Sequence, residues 1–230
     1  MPLTTIFFDA GNTLVFPELE RTLAPLIARG HQPTTEQLHA SERAAKQKLD
    51  ATIMEATGAV GTDFKYWHEY YSHLLAQLHV SDSGLCGALV SASRVSANWS
   101  RLIPGTSEDL KRLSKTFQLG IISNADGRIE DLLRGLGIGD FFQSFTDSGI
   151  VGHEKPHPAI FQAAIKSLGA IPAESIYVGD IYSVDYLGAR AVGMDAILLD
   201  ASGTYADRHL PRVESLAEIA KKFADGQSAT

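Results

Sequence analysis

Five polar residues in this 230-residue chain are of types that together can transfer a phosphoryl group. Asp9, Ser123 and Asp180 each follow a short apolar stretch, Asp185 comes five positions after the last of them, and Lys155 lies between the second and third stretches. A carboxylate can attack phosphorus if a metal ion neutralises the charge between the two like-signed reactants. The pattern therefore indicates phosphoryl transfer, provided that the fold brings these side chains together.

The elements that would position these residues form an α/β pattern from Arg101 onward. Short apolar strands are predicted at Phe117–Asn124, Glu174–Asp180 and Met194–Asp200, with a weaker strand at Phe141–Ser148. Amphipathic helices are predicted between them at Ser107–Lys115, Gly127–Leu136, His157–Leu168 and Val184–Val192. This alternation is typical of a parallel sheet covered on both faces, which binds its ligands at the carboxyl ends of the strands.

The sequence between residues 17 and 100 has a different texture, being polar, rich in alanine and helical in pattern, without a clear strand signal. We therefore predict an α/β fold with a Rossmann-like, doubly wound parallel sheet core, residues 1–16 and 101–230, and an inserted α-helical cap, residues 17–100. A helical block beside the loop after the first strand can act as a lid that closes over the sheet edge and selects the substrate.

The composition is that of an ordinary globular protein, with 44% hydrophobic and 20% charged residues. The formal net charge is −7 and no segment combines basic with aromatic residues, so we expect no nucleic-acid partner. No apolar run approaches the roughly 18 residues of a membrane helix, and no signal peptide is visible, so we expect a cytoplasmic protein without membrane contact. The one cysteine, Cys86, fits a reducing compartment. Monomer and homodimer are both open.

Four motifs in a fixed order resemble those of a known family: FFDAGNTLVF, LGIISN, GHEKPHPAIF and YVGDIYSVDYLGARAVGM. The family is the haloacid dehalogenase-like hydrolase superfamily, most of whose members are phosphatases, and the resemblance covers about two thirds of the chain. The predicted insertion lies where that family carries its first type of α-helical cap. The resemblance implies a Mg2+-dependent phosphatase that acts on a small phosphorylated metabolite through an aspartyl-phosphate intermediate.

The resemblance also assigns roles to the matching side chains. Asp9 is implied to be the nucleophile, Ser123 to bind the transferring phosphoryl group, and Lys155 to supply a fixed positive charge opposite the nucleophile. Thr13 and Asn124 are implied to complete the phosphate-binding site. The predicted catalytic residues are therefore Asp9, Ser123 and Lys155.

A metal site is implied by the same motifs. Mg2+ would be held by the carboxylates of Asp9 and Asp180 and by the backbone carbonyl of Gly11, the hard oxygen ligands that this cation prefers. Asp185 is implied either to bind the metal through water or to orient Lys155. We therefore predict Mg2+ as the cofactor.

Gly11 departs from the phosphatase pattern of the family. The phosphatases carry a second aspartate at this position, which protonates the leaving oxygen and later activates water against the aspartyl-phosphate. Such a general acid/base is typically worth about 10²- to 10⁴-fold in rate. The glycine can still offer its carbonyl oxygen to the metal, so the motif lacks a proton donor rather than a metal ligand.

Four readings of this departure stay open. A phosphatase could act on substrates whose leaving group needs little protonation, or could have moved the acid/base role elsewhere. A 2-haloacid dehalogenase also lacks the second aspartate, but such relatives are metal-free and replace the Gly179–Asp180 pair that this chain retains. A phosphonate-cleaving enzyme would use a cap lysine as a Schiff base, for which Lys46, Lys48 and Lys65 are candidates. The fourth reading is a non-catalytic protein that binds a phosphorylated ligand.

A relocated acid/base would be a histidine or a glutamate near the site, and imidazole titrates in the useful pH range. The candidates flank Lys155 or lie in the predicted cap: His153, His157, His68, His73, Glu20, Glu55 and Glu69. The sequence does not rank them.

Overall fold

The computed structural model describes residues 2–56 and 66–225 and has a parallel sheet at its centre. The strands are β1 (Thr5–Phe8), β2 (Val15–Pro17), β3 (Trp99–Leu102), β4 (Gln118–Ser123), β5 (Ser144–Asp147), β6 (Ser175–Gly179), β7 (Asp195–Leu199) and β8 (Arg212–Val213). Six of them form the sheet in the order β5-β4-β1-β6-β7-β8, with every neighbouring pair parallel. The predicted α/β class is therefore confirmed.

Helices fall into two groups. Those between β2 and β3 are α1 (Leu19–Thr22), α2 (Ala24–Ile27), α3 (Thr35–Ala56), α4 (Tyr66–Gln77) and α5 (Leu85–Ser93). Those that follow β3 are α6 (Thr106–Leu113), α7 (Ile129–Gly135), α8 (Ser148–Val151), α9 (Pro158–Leu168), α10 (Leu187–Ala191) and α11 (Leu216–Ala220). No helix within the described ranges is long and apolar enough to cross a membrane.

Strand β1 lies in the middle of the sheet and is buried on both faces. Ile6 and Phe8 pack on one face with residues of α6, α7 and α11, while Phe7 packs on the other face with α9 and α10. A strand buried on both faces reads as a continuous apolar run, which is the pattern that predicted it. The amide of Asp9 continues the ladder by donating to the carbonyl of Val178, 2.8 Å away, so the carboxylate is placed at the carboxyl edge of the sheet.

The segment after β6 differs from the prediction of a helix over Val184–Val192. It begins with a π-helical turn, Tyr182–Tyr186, and the α-helix α10 starts only at Leu187. The amides of Asp185 and Tyr186 both donate to the carbonyl of Ile181, at 2.8 and 3.3 Å, which widens this turn. Asp185 therefore lies in the wide turn rather than at the start of a regular helix.

A two-stranded antiparallel sheet joins β2 to β3, with Val15 opposite Leu102 and Pro17 opposite Trp99. The expectation of no strand between residues 17 and 100 is wrong at both ends of that range. The strands have only three and four residues, and β2 ends in a proline, so neither is long enough to show a period that sequence analysis detects. The pair lies where the chain leaves the sheet domain for helices α1–α5 and where it returns.

Candidate active site

The ammonium group of Lys155 is the centre of the buried polar cluster at the sheet edge. Its Nζ donates to Asp9 Oδ1 at 2.7 Å, to Asp185 Oδ1 at 2.8 Å and to the hydroxyl oxygen of Tyr177 at 2.8 Å. Burial alone would lower the pKa of Lys155, but the carboxylates of Asp185 and Asp9 outweigh it and raise the pKa above 10.5. The lysine therefore stays charged between the two carboxylates.

Asp9 is buried beside this lysine. Desolvation raises the pKa of Asp9 from 3.8 to about 7, because the opposing attraction of Lys155 only partly compensates for burial and for the nearby Asp185 and Asp180. A carboxylate in this state gains from any further cation that approaches it. The electrostatics therefore favour an additional positive charge at Asp9.

Asp185 organises the site through both of its oxygens. Oδ1 accepts from Lys155 and from the Tyr177 hydroxyl, and Oδ2 accepts from the amides of Asp180 at 3.1 Å and Ile181 at 3.0 Å. Of the two roles predicted for Asp185, these contacts favour the orientation of Lys155. Its role as a water-mediated metal ligand stays a prediction.

The carboxylates of Asp9, Asp180 and Asp185 are grouped tightly enough to fit a metal ion. One oxygen from each lies within 4.8 Å of the others. Among the described residues, Asp9 Oδ2 and Asp180 Oδ1 have no hydrogen-bond partner, so each can serve as a ligand. Buried carboxylate oxygens are the ligands that Mg2+ prefers. The donor set therefore fits the predicted cofactor.

The predicted phosphate-binding residues are placed differently from one another. Ser123 and Asn124 line the same cavity as Asp9 and Lys155. The Asn124 side chain holds the main chain of Lys155, since its Oδ1 accepts from the Lys155 amide at 2.7 Å and its Nδ2 donates to the Lys155 carbonyl at 3.1 Å. Thr13 is buried and is not part of the cavity wall, and its hydroxyl has no partner within the described ranges.

A cavity of about 60 Å³ opens beside Asp9. Its walls include the aromatic rings of Trp67 and Trp99, the guanidinium-bearing Arg94 and the apolar side chains of Ile129 and Leu132. None of the predicted acid/base candidates lines it: His153, His157, His68, His73, Glu20, Glu55 and Glu69. The structure therefore does not bring any of these groups to the nucleophile.

Trp99 occupies the space beside Gly11. A Cβ atom built on Gly11 would lie 3.1 Å from Cζ3 of the Trp99 ring. The ring is fixed because its Nε1 donates to the carbonyl of Ser93 at 2.8 Å and its face packs against Trp67 with ring centroids 5.8 Å apart. A side chain at position 11 would therefore be in tight contact with the Trp99 ring.

We expect Gly11→Asp to lower turnover, by about tenfold, because a Cβ 3.1 Å from the fixed Trp99 ring is relieved only by a small shift of the ring or of the loop that carries Asp9, and catalysis is sensitive to such shifts. The measurement is kcat on an alkyl phosphate and an aryl phosphate, with Gly11→Ala as the control that adds the Cβ without the carboxylate. A rise in kcat on the alkyl phosphate would contradict this expectation.

Lys46, from helix α3, reaches into the cluster from the other side. Its Nζ lies 2.7 Å from Asp180 Oδ2. Of the other cap lysines predicted as Schiff-base candidates, Lys48 is exposed and Lys65 lies outside the described residues. An imine needs a neutral amine, whereas Lys46 is held as an ammonium by Asp180, so this contact does not favour the phosphonate-cleaving variant.

Helix α3 is also fixed by Asp50, one turn after Lys46. Asp50 Oδ1 accepts from the amide of Ser183 at 2.8 Å, in the π-helical turn. Gln47, between them, donates from Nε2 to the carbonyl of Thr204 at 3.2 Å. The contacts of these three residues therefore dock α3 on the loops that follow β6 and β7.

We expect Asp50→Asn to stabilise the protein at neutral pH and to have little effect in acid. Burial raises the pKa of Asp50 above 3.8, against an opposing hydrogen bond from Ser183. When the pKa of a carboxyl group is higher in the folded state than in the unfolded state, the unfolded state loses its proton first as the pH rises. The free energy of unfolding then falls by about 1.4 kcal/mol for each pH unit between the two pKa values. The asparagine side chain keeps an Oδ1 atom that can accept the hydrogen bond from the Ser183 amide.

Urea unfolding measures the effect at pH values between the unfolded-state and the folded-state pKa of Asp50. The free energy of unfolding of Asp50→Asn, relative to that of the natural protein, should increase as the pH rises. Glu55→Gln, on the exposed side of the same helix, is the matched control and should show no such trend. A difference that is constant with pH would mean that Asp50 does not titrate as its burial requires.

The sequence model of the haloacid dehalogenase-like hydrolase family matches residues 3–193. The chain therefore belongs to this family of hydrolases, as the four motifs predict. The fold agrees with this assignment. The carboxylates lie at the carboxyl edge of the parallel sheet, and a block of helices follows β1 and β2.

Individual relatives agree with this assignment. A glyceraldehyde 3-phosphate phosphatase from Methanothermobacter thermautotrophicus is 41% identical over 217 residues, which is 90% of this chain and 89% of that protein. The mouse haloacid dehalogenase-like hydrolase domain-containing protein 3 is 39% identical over 103 residues, 44% of this chain but only 41% of the mouse protein's length. The L-2-haloacid dehalogenase of Xanthobacter autotrophicus superimposes with a TM-score of 0.61 at 18% identity, covering 95% of this chain and 97% of the dehalogenase. That likeness shows the shared fold alone.

Proposed function

We propose that this hydrolase is a Mg2+-dependent phosphatase for a small phosphorylated metabolite. The observation that carries the proposal is the cluster in which Lys155 lies 2.7 Å from Asp9 while carboxylate oxygens of Asp9, Asp180 and Asp185 lie within 4.8 Å of one another. A retained Asp180 suits a metal-assisted reaction of phosphate, because a halide leaving group has no use for a cation ligand at this position.

The charge balance supports the same proposal. The carboxylates of Asp9, Asp180 and Asp185, together with Glu42 at 3.8 Å from Lys46, face only two ammonium groups, those of Lys155 and Lys46, so the ionised cluster carries an excess of negative charge. A phosphate dianion would be repelled from such a site. One divalent cation would offset this excess and remove the repulsion of phosphate.

The chain's own residues divide the work as follows. One carboxylate oxygen of Asp9 attacks phosphorus, and the bond from phosphorus to the leaving oxygen breaks, so that the leaving group departs as its anion. Water then hydrolyses the aspartyl-phosphate, which releases inorganic phosphate and regenerates the Asp9 carboxylate. Lys155 keeps Asp9 in position, and Ser123 lines the same cavity, so that its hydroxyl is available to donate to a phosphoryl oxygen. Mg2+, held by Asp9, Asp180 and the carbonyl of Gly11, would supply the charge neutralisation. Asn124 positions Lys155 through its main chain.

The cavity and the relatives indicate the kind of substrate. A space of about 60 Å³ beside Asp9 suits a small leaving group. A relative at 41% identity is named as a phosphatase of glyceraldehyde 3-phosphate, so phosphates of small sugars and aldehydes are the first compounds to try. Gly11 stands where the family's phosphatases carry the aspartate that protonates the leaving oxygen. We therefore expect the rate of hydrolysis to fall steeply as the pKa of the leaving group rises.

The experiment measures phosphate release from an aryl phosphate and from glyceraldehyde 3-phosphate, each with Mg2+ and with excess EDTA, with Asp9→Asn as the blank. Release that requires Mg2+ and disappears in the blank supports the proposal. The absence of release from both compounds and from a wider panel of small phosphate esters would count against it.

A 2-haloacid dehalogenase is the second candidate, favoured by one observation. Trp99 lies against Gly11, the position at which a phosphatase of this family carries its acid, and the departure of a halide needs no proton. The test is chloride release from 2-chloropropionate, run beside the phosphate assays. Chloride release that is insensitive to EDTA would assign the protein to this chemistry instead.

A further inference from the structure

Lys46 belongs to helix α3, in the predicted cap, but its ammonium group contacts Asp180 at the edge of the sheet. Lys46 is 5% exposed, as is its partner Asp180, and the two residues are separated by 134 positions in the sequence. Glu42, one turn earlier on α3, offers a second carboxylate to Lys46, at 3.8 Å. A lysine in the middle of a 22-residue helix is ordinarily solvated, so its burial against Asp180 calls for a reason.

The position of Lys46 is set by the docking of the whole helix. Asp50 and Gln47 bind the loops after β6 and β7 through main-chain groups. On the same side of α3, Leu49 and Ile53 pack in one hydrophobic cluster with Ile181 and Val184, which lie at the π-helical turn. The ammonium group can therefore leave Asp180 only by a change of side-chain conformation or by movement of α3 away from these loops.

Asp180 is in turn the carboxylate that a divalent cation would share with Asp9. Burial raises the pKa of Asp180, with the attraction of Lys46 as the main opposing influence, so Lys46 compensates much of the cost of that buried charge. A metal ion bound to the same carboxylate would face the ammonium at close range in a buried site, where like charges repel strongly. Two cations are thus offered to one carboxylate.

We propose that Lys46 is a positioning residue that binds Asp180 when α3 is docked and competes with the divalent cation for this carboxylate, so that metal binding and cap docking oppose each other. The proposal deepens the proposed function, on which its metal rests. Such coupling is reciprocal: if Lys46 weakens metal binding, the metal loosens α3 by the same free energy.

The first test is a calorimetric titration of the whole protein with Mg2+. We expect Lys46→Met, which keeps the length of the side chain without its charge, to bind Mg2+ about tenfold more tightly than the natural protein, within the range usual for coupled sites. Lys46→Arg should bind like the natural protein, because it keeps the charge. Lys48→Met, on the exposed side of the same helix, is the matched control and should leave the affinity unchanged.

The second test uses the unaltered protein, so it does not depend on the folding of a variant. Hydrogen exchange of the amides in α3 should become faster when Mg2+ is added. Equal or weaker Mg2+ binding by Lys46→Met, exchange in α3 that Mg2+ leaves unchanged or slows, or an absence of Mg2+ binding in both proteins would each overturn the proposal.

The phosphate assay separates this proposal from the proposed function. Mg2+-dependent phosphate release together with an unchanged affinity in Lys46→Met would overturn the competition and keep the phosphatase. Tighter Mg2+ binding by Lys46→Met without any phosphate release would support the competition and remove the phosphatase.

Discussion

Asp9→Asn should reduce hydrolysis of the substrate by roughly 10⁴-fold or more, because an amide cannot serve as the attacking oxygen nucleophile. Asp9 ends the central strand of the sheet, lies 2.7 Å from Lys155 and faces the cavity. The measurement is kcat under saturating Mg2+ with the most active phosphate ester. Because asparagine is close in shape to aspartate, the loss would report chemistry rather than packing.

The same variant should remain folded, which makes the loss of activity interpretable. The pKa of Asp9 is raised to about 7, so its ionised form is less stable in the folded protein than in water. A group of this kind costs stability as pH rises from its unfolded value toward 7, and a neutral asparagine avoids that cost. Thermal unfolding at about pH 8 should therefore give an equal or higher Tm for Asp9→Asn. Substantial residual turnover would assign the nucleophile to another residue.

Lys155→Met should remove both stability and activity. The change leaves the carboxylates of Asp9 and Asp185 buried without their shared cation, and breaking a buried ion pair in this way typically costs about 3–5 kcal/mol. Without the attraction of Lys155 the pKa of Asp9 would rise further, so less of the nucleophile would be ionised at neutral pH. We expect kcat to fall by roughly 10³-fold, as when a group that stabilises developing charge is lost.

Urea unfolding and steady-state kinetics measure the two effects of Lys155→Met. Lys166→Met, on the exposed part of α9, is the control for the loss of a lysine. The double variant Lys155→Met with Asp9→Asn should regain part of the lost stability, because it removes one of the uncompensated carboxylates. An unfolding free energy close to that of the natural protein in Lys155→Met would mean that the cluster is solvated rather than buried.

Sequence reasoning predicted that the candidate residues meet at one edge of the sheet, because parallel strands place their carboxyl ends together. Asp9, Ser123 and Asp180 each lie at the end of a strand, and β1, β4 and β6 are neighbours in the sheet, so the three residues meet without further information. Lys155 comes from a loop, and its place could be predicted only from the resemblance. The orientation of its side chain depends on Asn124, whose amide group binds the Lys155 main chain on both sides.

Tyr177 was not predicted as part of the cluster, and Lys46 was predicted only as a Schiff-base candidate and not as a partner of Asp180. Tyr177 lies within β6, which is buried on both faces. The strand therefore lacks the alternation of polar and apolar residues that would show which of its side chains contacts a polar site. Lys46 lies on a helix whose period indicates which residues share a face, but not which part of the sheet that face will meet. Its contact with Asp180 depends on how α3 packs on the loops that follow β6 and β7.

Trp99 shows a third limit. The sequence identifies a glycine where the family's phosphatases carry an aspartate, but it does not say what occupies the space. The pairing of β2 with β3 brings segments that are far apart in the sequence into register and places the Trp99 ring against Gly11. Only long-range packing of this kind could reveal that an aromatic ring lies in tight contact with this position.

The pairing of β2 with β3 also bears on how this protein can change over evolutionary time. Because paired strands lie only about 4.8 Å apart, the polypeptide departs from the sheet domain and rejoins it at almost the same point. A change in the length of the segment between these two strands therefore need not stretch the connection from β1 to β4. Insertions and deletions in that segment can be absorbed as long as α3 keeps its contacts with the loops after β6 and β7.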